Sequence, residues 1–175
     1  MNTPAPTLTF RQTVTPADAD HVRRIVESSG FFHDYEVGTA VELVEENLAK
    51  GEEVSGYYFL FAELDGRPVG YTCYGPIACT AGSFDLFWIA VDQTTRGTGV
   101  GRALLERTEA LVAAMGGRRI YIETSSQALY VPTRGFYTRC GYREETILED
   151  FYAPGDGKVI YVKAVDAAQP QAPAR

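Results

Sequence analysis

Three glycines at alternate positions, Gly97, Gly99 and Gly101, stand between Arg96 and Arg102 in the middle of the chain. Glycine lets backbone amides approach a ligand with no side chain in the way, and the two arginines add full positive charges. A helix beginning here would add unpaired N–H groups and the positive end of its dipole. The pattern predicts a site for a phosphate or pyrophosphate. A glycine motif alone is a weak signal, and a ligand-free connection is the alternative.

The flanking residues supply the strand and the helix that such a site needs. Residues 84–91 are an apolar run with one acid, which predicts a strand buried on both faces. Apolar residues recur at helical spacing from Val100 to Met115, and Gly116 marks the end of that helix. A Walker loop needs Lys and then Ser or Thr after its last glycine, whereas Arg102 and Ala103 follow Gly101. The glycine spacing does not fit the G-x-G-x-x-G dinucleotide fingerprint. A nucleotide-binding domain without either motif is a further interpretation of this stretch.

The loop motif resembles one found in a known family. Residues 96–101, Arg-Gly-Thr-Gly-Val-Gly, match the [Q/R]-x-x-G-x-[G/A] motif of the GNAT N-acetyltransferase superfamily. Residues 135–142 are similar to that family's helix, which carries a tyrosine and ends in glycine followed by an aromatic residue. The resemblance extends over residues 8–165 and is strongest from 84 to 142. At the position where many relatives have an asparagine that contacts the cofactor, this chain has Tyr130, so no contact is assigned there.

The resemblance implies an acetyl-CoA-dependent N-acetyltransferase that moves an acetyl group directly to a primary amine of a small molecule or peptide. The alternative is a non-catalytic acyl-CoA-binding or sensor module of the same fold. By resemblance, acetyl-CoA is held by the end of the strand and by the loop, with an N–H near Val91 meeting the thioester oxygen. The implied cofactor-binding residues are Ile89, Ala90, Val91, Arg96, Gly97, Thr98, Gly99, Val100, Gly101 and Arg102.

Three residues are candidates for proton transfer. The resemblance places Tyr137 near the cofactor sulfur, where its phenol would protonate the departing thiolate; a packing role in the core is the alternative. Asp85 is the only charge in an apolar strand, and burial would raise its pKa toward a value useful for a base. Glu123 on the next strand is the competing base, and a water relay from a more distant acid is the third possibility.

The acceptor site is less defined. Residues 31–38 are predicted to form a loop, and the resemblance implies that His33, Asp34, Tyr35 and Glu36 line the acceptor site; a solvated loop is the alternative. Acidic residues in the predicted loops favour a cationic amine. The sequence defines neither the identity of the acceptor nor the preferred acyl chain.

The order of elements, together with the resemblance, predicts a mixed α/β fold. A mostly antiparallel sheet of six to seven strands is expected, flanked by about four helices and splayed at the central parallel strand pair. The chain divides into a flexible segment 1–7, a single domain 8–165 and a disordered tail 166–175.

The predicted elements are as follows. A strand spans 8–14, and a helix capped at Thr15 ends at Gly30. A second helix runs from Thr39 to Gly51. Strands 57–64 and 69–75 are joined by an Asp-Gly turn, strand 118–124 is parallel to 84–91, and strands 142–149 and 159–165 are joined by the loop 150–157.

Composition excludes several functions. A net charge of −7 argues against general nucleic-acid binding. Two histidines, and three cysteines without ligand spacing, predict no metal site. No apolar run reaches membrane-spanning length, so a cytoplasmic protein is expected. The family resemblance allows a homodimer.

Overall fold

The computed structural model describes residues 7–165, which form a seven-stranded sheet and five α-helices. The strands are β1 Leu8–Arg11, β2 Tyr58–Leu64, β3 Arg67–Pro76, β4 Ser83–Val91, β5 Arg119–Ser125, β6 Arg143–Ala153 and β7 Asp156–Ala164. The helices are α1 Asp18–Ser29, α2 Asp34–Lys50, α3 Glu52–Ser55, α4 Val100–Ala114 and α5 Val131–Arg139. Strand order is β1-β2-β3-β4-β5-β7-β6, with β4 and β5 parallel. The predicted mixed α/β class and its central parallel pair are confirmed.

The described chain forms two compact units. The first consists of residues 7–75 and 87–106, and the second of residues 76–86 and 107–165. The prediction of one domain over 8–165 stays a prediction. The predicted flexible start, apart from Thr7, and the predicted tail 166–175 lie outside the described residues.

The core of the first unit is built by α1, α2, β2 and β3. The β2–β3 hairpin turns at Asp65 and Gly66, whose φ angles of 49° and 78° lie in the left-handed region, which confirms the predicted hairpin. The apolar stripes of both helices meet the aromatic residues of the strands. The fully or almost fully buried residues of this core include Val22, Ile25, Val26, Val44, Phe59, Phe61, Tyr71 and Cys73.

Strand β1 and helix α1 are both shorter than predicted. β1 pairs with β2 only as far as Arg11, and α1 begins at Asp18. The buried Asp18 carboxylate accepts hydrogen bonds from the Thr15 N–H at 2.7 Å and from the Thr15 hydroxyl at 2.9 Å. Asp18 therefore binds the residue three positions before it at the start of α1. Thr15 is not the N-cap residue, so the prediction that it caps the helix is wrong.

Helix α2 begins at Asp34, inside the segment predicted to be a loop. The His33 N–H donates to Glu36 Oε2 at 2.8 Å, which is one half of a capping box. Val37 is buried, so the apolar face of the helix starts before the predicted boundary. The predicted loop is therefore wrong beyond residue 33, whereas the predicted stop at Gly51 is confirmed.

The second unit contains the parallel strand pair. Ser83–Leu86 of β4 are in register with Arg119–Ile122 of β5, and β5 continues beyond this register to Ser125. β4 is only partly buried, because Phe87 is 38% exposed and Asp85 is half-buried. The prediction of a strand buried on both faces is therefore wrong.

The β6–β7 hairpin is longer than predicted. Both strands extend into the predicted loop 150–157, and a register shift between Leu148 and Ala153 gives β6 extra residues. The Gly155 N–H donates to Asp150 Oδ1 at 2.7 Å and closes the turn. Every residue of β6 is exposed, as expected for a strand at the edge of the sheet.

Candidate functional site

The glycine loop starts from a fixed point at Asp92, directly after β4. The Asp92 carboxylate accepts hydrogen bonds from the Thr94 N–H at 3.0 Å and hydroxyl at 2.7 Å, and it pairs with Arg24 of α1 at 2.5 Å. Its own N–H donates to the Val69 carbonyl at 2.8 Å. Burial alone would raise the pKa of Asp92, but these donors outweigh it and hold the pKa below its ordinary value. The loop therefore leaves the strand in a defined direction.

The loop itself presents backbone to open space. Gly97 and Gly99 have φ angles of 76° and 92°, and a Cβ added to either would meet no atom within 4 Å. The Ala103 N–H donates to the Gly99 carbonyl at 3.0 Å, which opens the hydrogen-bond series of α4. The N–H groups of the first helical turn precede that series and point out of the helix end. This is the backbone arrangement of an anion site.

Two arginines flank the loop, as the sequence predicts. The Arg96 guanidinium lies 4.7 Å from the centre of the Phe31 ring, a cation–π contact with the segment between α1 and α2. Arg102 lies in the first turn of α4, with an exposed Glu106 carboxylate 3.8 Å away. Both side chains are exposed, so both can turn toward an anion at the loop.

The strand end before the loop packs closely on β3 and α4. Ala90 is buried, while Ile89 and Val91 are half-buried. A Cβ on Gly70 would lie 3.0 Å from Leu104 Cδ1 and 3.1 Å from the Ala90 carbonyl oxygen. Glycine at position 70 therefore allows this approach. Sequence reasoning missed it because nothing local to Gly70 indicates the contact.

Charged side chains from three strands share one face of the sheet in the second unit. Asp85 of β4 pairs with Tyr121 of β5, and Glu123 is two residues further along β5. Lys158 of β7 pairs with Ser125, two residues beyond Glu123. Because alternate residues of a strand point to the same face, Asp85, Glu123 and Lys158 project from the same side.

The two carboxylates of this face differ in environment. Burial raises the pKa of Asp85 to about 6; the neighbouring Glu123 charge adds to this rise, and Lys158 opposes it. Glu123 is 47% exposed, and its Oε2 forms an ion pair with Lys158 Nζ at 2.7 Å. The predicted effect of burial on Asp85 is thus present, and the predicted competitor lies on the same face.

Lys158 and Phe151 belong to this face and were missed from the sequence. The Lys158 side chain is only 13% exposed, and its ammonium lies 3.7 Å from the centre of the Phe151 ring. A lysine inside an otherwise apolar strand, Gly-Lys-Val-Ile-Tyr-Val, is a signal that could have identified Lys158. Its partner depends on the register of two strands that are distant in sequence.

Tyr137 lies on the opposite side of β5. Its ring packs against Tyr142 at 6.2 Å and Tyr161 at 5.8 Å between ring centres. Tyr161 is paired with Ile122, which points away from the face of Tyr121 and Glu123. Burial raises the pKa of Tyr137 above its ordinary value, so the phenol stays protonated. The structure therefore places the three predicted catalytic residues in one unit but on two faces.

Tyr35 lies in the first turn of α2, and His33 is the residue directly before the helix. Their rings stack with centres 5.4 Å apart, and Tyr35 is 72% exposed. Asp34 and Glu36 occupy the first turn of the helix, where acids complement the dipole. This local role accounts for both acids without a ligand.

Two further findings concern metals and membranes. Within residues 7–165, no cluster of three or more His, Cys, Asp or Glu side chains could hold a metal ion. None of the helices formed by those residues is long and apolar enough to cross a membrane.

The sequence profile of one family, the acetyltransferase (GNAT) family, matches residues 23–142. The chain belongs to the GNAT family. The match covers the glycine loop, Asp85, Glu123 and Tyr137, and it confirms the family predicted from the loop motif and the tyrosine helix.

Two solved structures and one sequence relative are similar to this chain. A crystal structure of a GNAT-family protein from Desulfovibrio desulfuricans has 46% identity and a TM-score of 0.88, covering 91% of this chain and 99% of that one. An uncharacterized N-acetyltransferase of Methanocaldococcus jannaschii is 32% identical over 105 residues, which span 60% of this chain and 65% of that relative. A coenzyme A complex of aminoglycoside 6'-N-acetyltransferase, at 18% identity, shares the fold with a TM-score of 0.70 over 91% of this chain and 97% of that one.

Proposed function

We propose that this GNAT chain is an acetyl-CoA-dependent N-acetyltransferase that moves an acetyl group directly from the thioester to a primary amine. The observation that carries the proposal is the open loop of residues 96–101 at the N-terminus of α4, with Gly97 and Gly99 in the left-handed region. Backbone N–H groups and two flanking arginines suit the pyrophosphate of coenzyme A. Residues 89–91 would contact its pantetheine arm, and an N–H near Val91 would donate to the thioester oxygen as negative charge develops there.

Asp85 is the proposed general base. An ammonium has no lone pair, so the acceptor must lose a proton before its nitrogen attacks the thioester carbonyl. A carboxylate whose pKa is raised to about 6 is largely ionised at neutral pH and binds a proton more readily than an ordinary aspartate. Glu123 is the second candidate, but its Oε2 is already engaged in an ion pair with Lys158 at 2.7 Å.

Tyr137 is the proposed proton donor to the thiolate that leaves when the carbon–sulfur bond breaks. Tyr137 lies on the opposite face of β5 from Asp85, so the proton donor and the general base would act from different sides. A thioester bound beside β5 could take the amine from one face and give its sulfur to the other. The raised pKa of Tyr137 makes the phenol a weak acid, so its contribution falls at the low end for general acid catalysis.

The proposed acceptor is a cationic amine of a small molecule or peptide. Asp85 and Glu123 place negative charge on the face from which the amine would arrive. Strand β6, which pairs with β7, carries four acids and one arginine. His33 and Tyr35 would contribute to the acceptor site through their exposed, stacked rings.

The test of this function uses Thr98, which is exposed in the loop and is not at a strained glycine position. Thr98→Glu places a carboxylate among the loop amides, and Thr98→Gln is the matched control without charge. We expect calorimetry to show coenzyme A binding to the parent and to Thr98→Gln, with affinity at least about tenfold lower for Thr98→Glu.

Turnover is measured separately, as amine-dependent release of free thiol from acetyl-CoA with a panel of polyamines, aminoglycosides and peptides. Thiol release with at least one amine supports the proposal. Binding of coenzyme A without thiol release from any amine would replace it with a binding or sensor module. Equal affinity of all three proteins would contradict the assignment of the loop.

A further inference from the structure

Lys158 is the cation that contacts Glu123 on the Asp85 face, and its position is fixed from several sides. Its ammonium is 2.7 Å from Glu123 Oε2 and 3.7 Å from the centre of the Phe151 ring. The side chain is 13% exposed, so the charge lies in a site that excludes most of the surrounding water. The Glu123 carboxylate compensates the positive charge in this site.

The backbone at Lys158 is fixed by the contact between the β6–β7 turn and the end of β5. The Ser125 hydroxyl donates to Asp156 Oδ1 at 2.5 Å, and the Ser126 N–H donates to the Gly157 carbonyl at 2.8 Å. The Gly157 N–H donates to the Ser126 hydroxyl at 2.7 Å. These bonds hold the residues just before Lys158 against β5, where Glu123 lies.

Gly157 permits this close approach. A Cβ at position 157 would lie 2.9 Å from the Leu148 carbonyl oxygen and 3.4 Å from the Ser126 hydroxyl. A larger residue would therefore push β7 away from its neighbours, and Lys158 with it. The ion pair between Lys158 and Glu123 is thus set by the strand register and not by two mobile side chains.

We propose that Lys158 is a positioning residue for acetyl transfer, because it engages Glu123 in an ion pair and leaves Asp85, which it does not contact, as the group that takes the proton of the amine. This inference rests on the proposed function. Lys158 forms no bond to the reactants. It acts by deciding which of the two carboxylates of this face accepts the proton.

The sign of the effect follows from the charges that face Asp85. Burial raises the pKa of Asp85 most, the Glu123 charge on β5 raises it further, and Lys158 on β7 lowers it. Arg119 and Tyr121 of β5 lie on the same face, Tyr121 opposite Asp85 and the exposed Arg119 opposite Ser83. Removing Lys158 should therefore raise the pKa of Asp85, and neutralising Glu123 should lower it.

The test is a carboxyl-carbon NMR titration of protein labelled with ¹³C-aspartate, with Asp85→Asn used to assign the signal. Lys158→Met should move the Asp85 titration midpoint up by about half to one pH unit, which is less than a direct contact would produce. Glu123→Gln should move it down, and the double variant should fall between the two single variants. Lys158→Arg keeps the charge and should titrate like the parent.

Lys163→Met is the matched control. Lys163 lies on the same strand but on the opposite face, where it pairs with Glu109 at 2.6 Å. Its removal should leave the Asp85 midpoint unchanged. The acidic limb of kcat/KM should follow the NMR midpoints, moving up in Lys158→Met and staying in place in Lys163→Met.

The two readouts separate the two claims. An Asp85 midpoint that is unchanged or lower in Lys158→Met would overturn the inference, whatever the activity. Midpoints that move as expected while the acidic limb of kcat/KM stays in place would also overturn it, because Asp85 would then not be the base that Lys158 serves. If the parent releases no thiol from acetyl-CoA with any amine, the proposed function fails, even if the NMR titrations show the expected electrostatics.

Discussion

Two charged clusters in this molecule shift the pKa of an aspartate in opposite directions. In the first unit, Arg11 of β1 contacts both Asp18 and Glu63, at 2.9 Å and 2.8 Å. In the second unit, Lys158 pairs with Glu123, and among the described residues it makes no ion pair with Asp85. Each cluster has one aspartate, one glutamate and one cation, and the difference lies in which carboxylate the cation contacts.

The contacts explain the opposite pKa directions. Burial alone would raise the pKa of Asp18, but hydrogen bonds from Arg11, Thr15 and His21 outweigh it and hold the pKa below its ordinary value. Asp85 has the burial without such donors, and its pKa rises to about 6. A cation placed on the aspartate thus gives a structural ion pair. A cation placed on the neighbouring glutamate leaves an aspartate that can exchange protons near neutral pH.

The largest expected effect tests the structural cluster. Arg11→Met leaves the Asp18 carboxylate, which is fully buried, without its cation, and we expect the free energy of unfolding to fall by about 3 kcal/mol. Lys158→Met removes the cation beside Glu123, which is 47% exposed and stays hydrated, and should cost about 1 kcal/mol or less. Urea unfolding at pH 7 measures both variants. Equal losses would show that the two clusters do not differ in the way described.

Tyr137→Phe separates the acid from the base. The ring is kept, so packing against Tyr142 and Tyr161 is preserved and only the hydroxyl is lost. We expect kcat to fall by about tenfold to a hundredfold, with the affinity for coenzyme A and the acidic limb of kcat/KM both unchanged. The loss should shrink for thioesters with a more acidic thiol, which leave without a proton. An equal kcat for both proteins across such a series would make Tyr137 a packing residue.

The smallest expected effect is a gain in stability from Asp85→Asn. The pKa of about 6 in the folded protein lies above about 3.9 for an unfolded aspartate, so ionisation of Asp85 destabilises the fold above pH 6. The difference corresponds to about 2.9 kcal/mol, and partial exposure reduces it to about 1 to 2 kcal/mol. The gain should be present at pH 8 and vanish below about pH 4. No gain at pH 8 in chemical unfolding would contradict the raised pKa.

The sequence predicted the features that depend on neighbouring residues. Gly97 and Gly99, the arginines beside them and the helical spacing after Val100 are all local, and the loop was predicted with its strand and helix. The parallel pairing of β4 with β5 followed from the helix between them. The single charge in strand 84–91 was enough to indicate that the pKa of Asp85 would rise.

Features set by distant contacts were not predictable. The ion pair between Lys158 and Glu123 depends on the β5–β7 register, and the Gly70 contact depends on three elements packing together. The start of α2 was misplaced because Thr39 with Glu42 and His33 with Glu36 both have the spacing of a capping box. The burial of Val37 favours the earlier start in the folded protein.

The measurement that tests the central claim most directly is the pH dependence of kcat/KM for the parent, Asp85→Asn and Glu123→Gln, with one accepted amine. We predict an acidic limb near pH 6 in the parent, a loss of at least about a hundredfold with no such limb in Asp85→Asn, and a limb retained at lower pH in Glu123→Gln. A profile in Asp85→Asn that matches the parent, with the limb lost instead in Glu123→Gln, would contradict Asp85 as the base.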